Sequence, residues 1–416
     1  MADSFYNRWS DDDTSQTKKK IKLYDNRDDT FRICTSAKIG AGDDYLDAWG
    51  NPKMVTPYSL FHGIFTLNVP PEMWIKYVNN VEDLTRTDTA YFYSHHSKLI
   101  VKSNGATAFL KSKRHPRYQP DRSHEYANSV FLPNPNATGT RRFGLFNEEH
   151  GVFFELHNGD FRGVVRRKID GVVNDTIVPL TIPFDYDLAV GNIFNIKMQW
   201  RGVGDIWFYM GNPATAEKIE VGRLRHLGTS MELSIPNPNM PLSFESIGDV
   251  QLECGCVDLT SWGGVKDSRQ YATADSGEVA LTLNEKPVLA IRIPDTFNGF
   301  TNTRDCILSR VSAYANYNTI LRAYYTRDAT AITATWTPLD VGFQECAVNG
   351  AITAFDTTKM LRYTTRRILV NQSIEITNSA GDTGELYLTH GDYVLVTMQA
   401  KNNTQGGCGI DYAQEI

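Results

Sequence analysis

Between Phe31 and about Trp262 the chain alternates short apolar runs with turn residues. AYFYS (90–94), KLIVKS (98–103), ATAFLKS (106–112), NSVFLP (128–133), RFGLF (142–146), GVFFEL (151–156), FRGVVRR (161–167), DTIVPL (175–180), IFNIKMQW (193–200), DIWFYMG (205–211) and LSFESI (242–247) all have strand length. No helical pattern alternates with them, which predicts an antiparallel sandwich or jelly roll. One segment departs from the pattern. In PEMWIKYVNNVEDL (71–84), Pro71 suits a first helical position, and Trp74, Ile75, Val78 and Val81 predict a helix. A second set of runs, from EVALTL (278–283) to DYVLVTMQAK (392–401), predicts a further, smaller β-sandwich, with the small polar stretch TADSGE (273–278) as a linker. Residues 1–30 are polar, and Asp11–Asp13 precede Lys18–Lys20. With so little apolar surface to bury, they are expected to form an extended arm that orders against a partner. The predicted division is 1–30, 31–270 and 271–416.

Two turn signals fix registers that can be checked residue by residue. A loop at HNGD (157–160) pairs Leu156 with Phe161, sets Glu155 opposite Arg162, and gathers Val152, Phe154, Leu156, Val165 and Phe161 on one face, with Gly163 leaving room for the Phe154 ring. A turn at Asp170-Gly171 then pairs Arg166 with Asp175, Val164 with Ile177 and Gly163 with Val178. Opposite charges meet in both hairpins, and one apolar face is continuous. Each cross-strand pair contributes only about 0.2–1 kcal/mol, but a slipped register loses several together.

That register changes how the most chemistry-like stretch reads. Residues 141–171 hold Glu148, Glu149, Glu155, Asp160, His150 and His157, a composition that could serve acid–base hydrolysis. The pairing instead gives Glu155 an arginine, which lowers its pKa, and leaves Glu148, Glu149 and His150 at a solvated tip. Other candidates are weaker. Cys254-Gly255-Cys256 lacks the usual two-residue zinc spacer and is expected to be buried thiols. His124-Glu125 lacks the second histidine of a zinc-protease helix, and His95-His96 lacks a third ligand. GAGDDY (40–45) and GVGDIW (202–207) read as β-turns rather than phosphate loops. The basic run KSKRHPRYQPDR (111–122) suits a solvated loop, or a site for phosphate or a carboxylated glycan. Trp200, Trp207, Trp262 and Trp336 are candidate sugar-stacking rings by residue type, and Arg117, Tyr118 and Trp262 are candidate glycan or partner contacts.

Composition adds exclusions. Hydrophobic residues make up 41% of the 416-residue chain, and the net charge of −6 disperses both signs, which argues against a nucleic-acid or anionic-membrane binder. No early apolar run follows Met1, six cysteines are scattered, and no cofactor motif, metal set or catalytic triad is present. Synthesis in a cytoplasm, without a leader or a bilayer-spanning segment, is the expectation.

With the meander in place, residues 60–250 resemble virion structural proteins of tailed bacteriophages and other large double-stranded DNA viruses. The resemblance rests on Arg-Tyr-Gln-Pro (117–120), Arg-x-Gly-x-Phe (142–146), the Gly159-Asp160 hairpin with its Val-x-Arg strand (164–166), Gln-Trp-x-Gly (199–202) and IPNPNMPLSFESI (235–247). It covers about half the chain and implies an all-β architecture: a concanavalin-like jelly roll in a multi-copy virion component. It carries no catalytic residues. The function expected is therefore non-enzymatic, by self-assembly and contact with other virion proteins on capsid, tail or fibre. Binding of a host-surface glycan is the alternative, and cleavage of one is a more distant rival.

Overall fold

The computed structural model describes Lys22–Asn26, Thr30–Cys34 and residues 57–415, apart from 119–121, 200–201, 227–231, 263–268, 298–299, 303, 305, 340–343 and 378–385. The chain separates into two compact units, Met1–Met54 and Val55–Ile416. In the first, β1 (Lys22–Asn26) pairs antiparallel with β2 (Thr30–Cys34). The acidic and basic clusters of the expected arm, and GAGDDY, lie outside the described residues.

The second unit is all-β. Its first part contains β3 (Pro57–Ile64), β4 (Trp74–Val78), β5 (Val81–Glu82), β6 (Phe92–His95), β7 (Lys98–Lys102), β8 (Thr107–Ser112), β9 (Ser123–Phe131) and β10 (Gly139–Phe146). It continues with β11 (Gly151–His157), β12 (Asp160–Ile169), β13 (Val172–Val178), β14 (Asn192–Met198), β15 (Ile206–Gly211), β16 (Lys218–Leu224), β17 (Leu242–Gly248) and β18 (Gln251–Trp262). One sheet has the order β13-β12-β11-β10-β17-β8-β4-β5, and the other β16-β15-β14-β9-β18-β7-β6, with β3 also on β18. The chain crosses repeatedly between the sheets, so the central strands of each come from distant segments. This is a concanavalin-like jelly roll. Between the sheets lies an aromatic core in which Phe154 touches Phe143, Phe194 and Phe208 at ring-centroid distances of 5.4, 5.1 and 5.2 Å.

The strands from Arg269 to Glu415 make a second sandwich of two six-stranded sheets. One is centred on Cys306–Ala315 and Thr404–Glu415, the other on Lys286–Arg292, Tyr393–Ala400 and Thr319–Thr326. Leu289, Ile291, Leu308, Leu321, Val396, Met398 and Ile410 fill the space between them.

Three expectations are corrected. The helix over 71–84 is instead a β-hairpin, β4 to β5, because Asn79 and Asn80 both adopt positive φ (50° and 63°) and close a two-residue turn. The helical spacing of its apolar residues arises because β4 is buried on both faces, Trp74 in the core and Ile75 outside it. TADSGE is not a free linker, since Thr273 to Asp275 belong to the strand Arg269–Asp275, which pairs with Thr404–Glu415. Finally, the space at Gly163 accommodates Phe208 of the opposite sheet rather than Phe154. A Cβ there would stand 3.0 Å from the Phe208 ring.

Candidate functional site

The acidic stretch 141–171 forms the outer face of one sheet. Glu155 on β11 lies opposite Arg162 on β12 and Arg142 on β10, and Arg142 lies opposite Glu245 on β17. The Glu155 carboxylate accepts from Arg142 Nε at 2.6 Å and from Arg162 Nη2 and Nε at 2.6 and 2.8 Å, while Arg142 Nη1 donates to Glu245 at 2.7 Å. Arg166 donates to both oxygens of Asp175 at 2.9 Å. Beneath this lattice, Phe109, Phe146, Phe153 and Val164 form a small apolar cluster of their own. The Arg166 and Arg142 guanidiniums lie over the Phe153 ring at 5.2 and 5.8 Å. The strand GVFFEL is thus buried on both faces, its outer face roofed by charge.

Burial alone would raise the Glu155 pKa, but Arg142 and Arg162 outweigh it and hold the carboxyl below its usual range. A carboxylate so held favours its ionised form and is already engaged by three donors. Glu148 reaches Lys111 at 3.6 Å and Glu149 reaches Lys168 at 2.5 Å. His150 is buried rather than solvated, with the Asn147 side chain accepting from its backbone N–H at 2.7 Å, and burial lowers its pKa. Glu155→Gln is expected to destabilise the protein by about 2 kcal/mol, because a charge-assisted lattice loses its central anion. Urea unfolding midpoints of the variant and the parent measure this.

The ring-bearing face is on the other sheet. The face of Trp207 is covered by Arg223 at 4.9 Å, and that of Tyr209 by Lys218 at 4.9 Å. In the second sandwich, Trp336 is covered by Arg292 at 4.7 Å. A sugar cannot stack there without displacing the cation. Trp262, at the end of β18, is half-buried and donates its Nε1–H to Glu125 at 3.0 Å; Trp200 lies outside the described residues. Glu125 also accepts from Asn195 and Lys218, at 3.0 and 3.2 Å. Arg117 is half-buried. Tyr118 is a core residue, 5% exposed, with its hydroxyl donating to the Arg122 carbonyl and its ring 4.9 Å from His124. It therefore presents no ring to a ligand, which corrects the expectation for this residue.

The basic run is not a solvated loop over its described residues 111–118 either. Lys111, Lys113 and His115 are buried. Lys113 and His115 sit in the seam between the sandwiches, where Lys113 Nζ donates to the Tyr325 hydroxyl and His115 stands 5.7 Å from His390. Arg114 lies over the Tyr387 ring at 4.5 Å. Arg327 is the centre of the seam. It donates to Glu82 of β5 at 2.5 and 3.2 Å and to Asp392 at 2.5 Å, and the Tyr325 hydroxyl donates to the same Asp392 oxygen at 2.6 Å. Burial alone would lower the Arg327 pKa, but Asp392 and Glu82 keep it well above the ordinary value. Beside this chain opens a cleft of about 370 Å³. Nothing in the local sequence signalled the seam, because its partners lie more than two hundred residues apart.

The zinc candidates resolve into β-structure. Gly255 and Cys256 form a bulge in β18, where the Cys256 N–H donates to Ser129 Oγ at 3.2 Å. Cys254 is buried, but Cys256 is exposed, contrary to the expectation of two buried thiols. His96 and Ser97 are hairpin-turn residues with φ of 50° and 60°. Among the described residues no group of three His, Cys, Asp or Glu side chains is arranged to hold a metal, and no helix is long and apolar enough to cross a membrane.

No family model matches the chain, and no curated protein matches it. Solved structures similar to it include a glycoside hydrolase family protein from Mycobacterium thermorestibile, 12% identical, covering 48% of this chain and 99% of that one with a TM-score of 0.33. The metal-free carbohydrate recognition domain of Emp46p is 11% identical and covers 51% of this chain and 100% of its own, with a TM-score of 0.31. The CBM2 module of the evolved Dit of Lactobacillus casei BL23 phage J-1 is 11% identical and covers 50% and 97%, with a TM-score of 0.30.

Proposed function

We propose that this protein is a non-enzymatic structural component of a phage-like virion, made in a host cytoplasm, present in many copies, and acting through contacts with itself and with neighbouring virion proteins. The observation that carries the reading is the edge strand β13. Among the described residues its only ladder partner is β12. It exposes Val172, Val173 and Ile177 at 59%, 43% and 46%. A monomer normally blunts such an edge with charge, proline or a cover, because free N–H and C=O groups beside apolar side chains invite another strand. β13 carries one charge, Asp175, which is neutralised by Arg166, while Val172, Val173 and Ile177 stand exposed on the edge strand itself. The ionic lattice next to it supports the same reading, since its carboxylates brace strands rather than await a substrate. The sequence motifs of residues 60–250 supply the virion context.

Self-association at micromolar concentration is expected, and Ile177→Lys is expected to weaken it at least tenfold without changing the unfolding midpoint of the monomer. Sedimentation velocity across a dilution series reads both chains. A parent chain that stays monomeric at hundreds of micromolar and is absent from purified particles would overturn the assembly role.

A second reading, attachment to carbohydrate, is favoured by Trp262, which combines a half-buried indole with the Glu125 hydrogen bond. Trp262→Ala that leaves every glycan-array signal unchanged would remove that support.

A further inference from the structure

No residue of β13 lines the cleft in the seam. Its walls come from both sandwiches: the β4–β5 hairpin, the segment after β5 and Lys113 on one side, and residues 325–328 with Thr358 and Lys359 on the other. Five cations line it (Lys76, Arg86, Lys113, Arg327 and Lys359) against three acids (Glu82, Asp83 and Asp328).

The acids are already engaged. Both Glu82 oxygens accept from Arg327. Asp328 accepts from the N–H and hydroxyl of Thr330 at 2.8 and 2.6 Å, and Asp83 from the Thr85 N–H at 3.0 Å. Three of the cations are differently placed. Lys76, 3% exposed, donates to the Thr87 carbonyl at 3.0 Å and has no ion pair among the described residues. Lys113 is 2% exposed, and its ammonium meets only the hydroxyl and ring face of Tyr325. Among the described residues no carboxylate forms an ion pair with it. Arg86, exposed at the rim, donates to the Tyr325 carbonyl at 3.4 Å and likewise has no ion pair among the described residues. A buried cation and an exposed one therefore meet the hydroxyl and the carbonyl of one tyrosine in a cleft of ligand size, neither of them in a direct ion pair with a carboxylate among the described residues.

We infer that this cleft binds a small oxyanion, the carboxylate or phosphate group of an acidic ligand, with Lys113 at the floor and Arg86 at the rim supplying the charge. Arg327 is committed to its own two carboxylates and shapes the wall. The favourable interaction is charge-assisted hydrogen bonding in a partly dry site, where an ion pair is stronger than at an open surface. The state of Lys113 agrees with this. Burial lowers its pKa to about 8, with Asp392, Glu72 and Glu82 opposing the effect and Arg327 adding to it, so the unliganded ammonium is short of negative charge. An anion beside it raises that pKa, and by linkage the affinity falls as pH rises above 8. Oxyanion binding in the cleft is independent of assembly and holds for a monomer or an oligomer.

Titration calorimetry on the full chain at constant ionic strength tests it, with inorganic phosphate in one arm, glucuronate in the other and chloride as control. Saturable binding at pH 7 is expected in at least one arm. Lys113→Met is expected to weaken it at least tenfold, Arg86→Gln severalfold, and a change to pH 9.5 likewise severalfold. Saturation by phosphate alone identifies a phosphorylated ligand as the source, saturation by glucuronate alone a carboxylated sugar, and saturation by both a general oxyanion site. Should Lys113→Met fail to fold, Arg86→Gln and the pH dependence decide the question. Heats no larger than those of chloride in both arms, or an affinity unchanged by Arg86→Gln and by pH, would overturn the inference.

Discussion

Arg327→Met is expected to lower the stability of the two-sandwich unit by about 3–5 kcal/mol, the usual cost of removing one partner from a buried ion pair. The loss comes less from the missing hydrogen bonds than from what they leave behind. Asp392 is fully buried, and without the guanidinium its charge is shared only with the Tyr325 hydroxyl and the Thr389 N–H. Glu82 loses both of its contacts to the second sandwich. Because these contacts join Glu82 of one sandwich to Asp392 of the other, the substitution is also expected to change the form of the transition. The parent should unfold in one urea transition; the variant should show two, or one with a visibly smaller m-value. Asp392→Asn on the Arg327→Met background should recover a large part of the loss, since the stranded charge is then removed as well. If the single variant unfolds within 1 kcal/mol of the parent in one unchanged transition, the seam does not couple the sandwiches. The figure of 1 kcal/mol is about the worth of an exposed ion pair.

The difference between this seam and the meander shows what the sequence could disclose. In the meander the information is local. Asn158-Gly159 and Asp170-Gly171 take φ of 51°, 89°, 50° and 81°, and these two turns alone fix the partners of Glu155 and Arg166. The same stretch did not reveal Arg142 as a second partner of Glu155, although that register belongs to the adjoining β10–β11 hairpin, nor Glu245 beyond it, whose register depends on β17, some ninety residues further along. Asn79-Asn80 lacks the glycine that makes the other two pairs strong turn signals, and the helix-like spacing of Trp74, Ile75 and Val78 masks it further. The long strand Thr404–Glu415 is hidden by its glycines, which ordinarily disfavour strands. They are required there by close approach: a Cβ on Gly406 would lie 2.6 Å from the Tyr314 carbonyl oxygen, and one on Gly407 2.5 Å from that of Gly277. The charge of the run 111–115 suggests solvation. Lys111 is buried against Tyr77 and Phe109 of its own sandwich, and Lys113 and His115 are buried because the second sandwich covers them, which no local pattern encodes.

That burial has a consequence for acid stability. His115, His124 and His390 each have a pKa lowered to about 3, in every case chiefly by burial, with Lys111 adding to the effect at His115, and His115 and Lys111 at His390. In the unfolded chain a histidine titrates near 6.5. Between those values the unfolded state binds protons that the folded state refuses, so stability falls as pH falls from about 6.5 towards 3. Each histidine contributes at most about 1.4 kcal/mol per pH unit, and three acting together approach about 4. The Glu155 carboxyl adds to the loss at the lower end of this window, where protonation removes its stabilisation by Arg142 and Arg162. The urea midpoint is therefore expected to drop steeply below pH 6.5, with unfolding in buffer alone near pH 4–5. His124 offers the cleanest test. It lies on β9 with its ring against Tyr118, its Nε2 has no hydrogen-bond partner among the described residues, and its shift is due to burial. His124→Phe should be close to the parent in stability at pH 8 and more stable at pH 5 by about 2 kcal/mol, with proton uptake on unfolding reduced by one. Equal slopes of stability against pH in the two chains would show that His124 titrates normally in the folded protein, and would remove it from the acid-sensitive set.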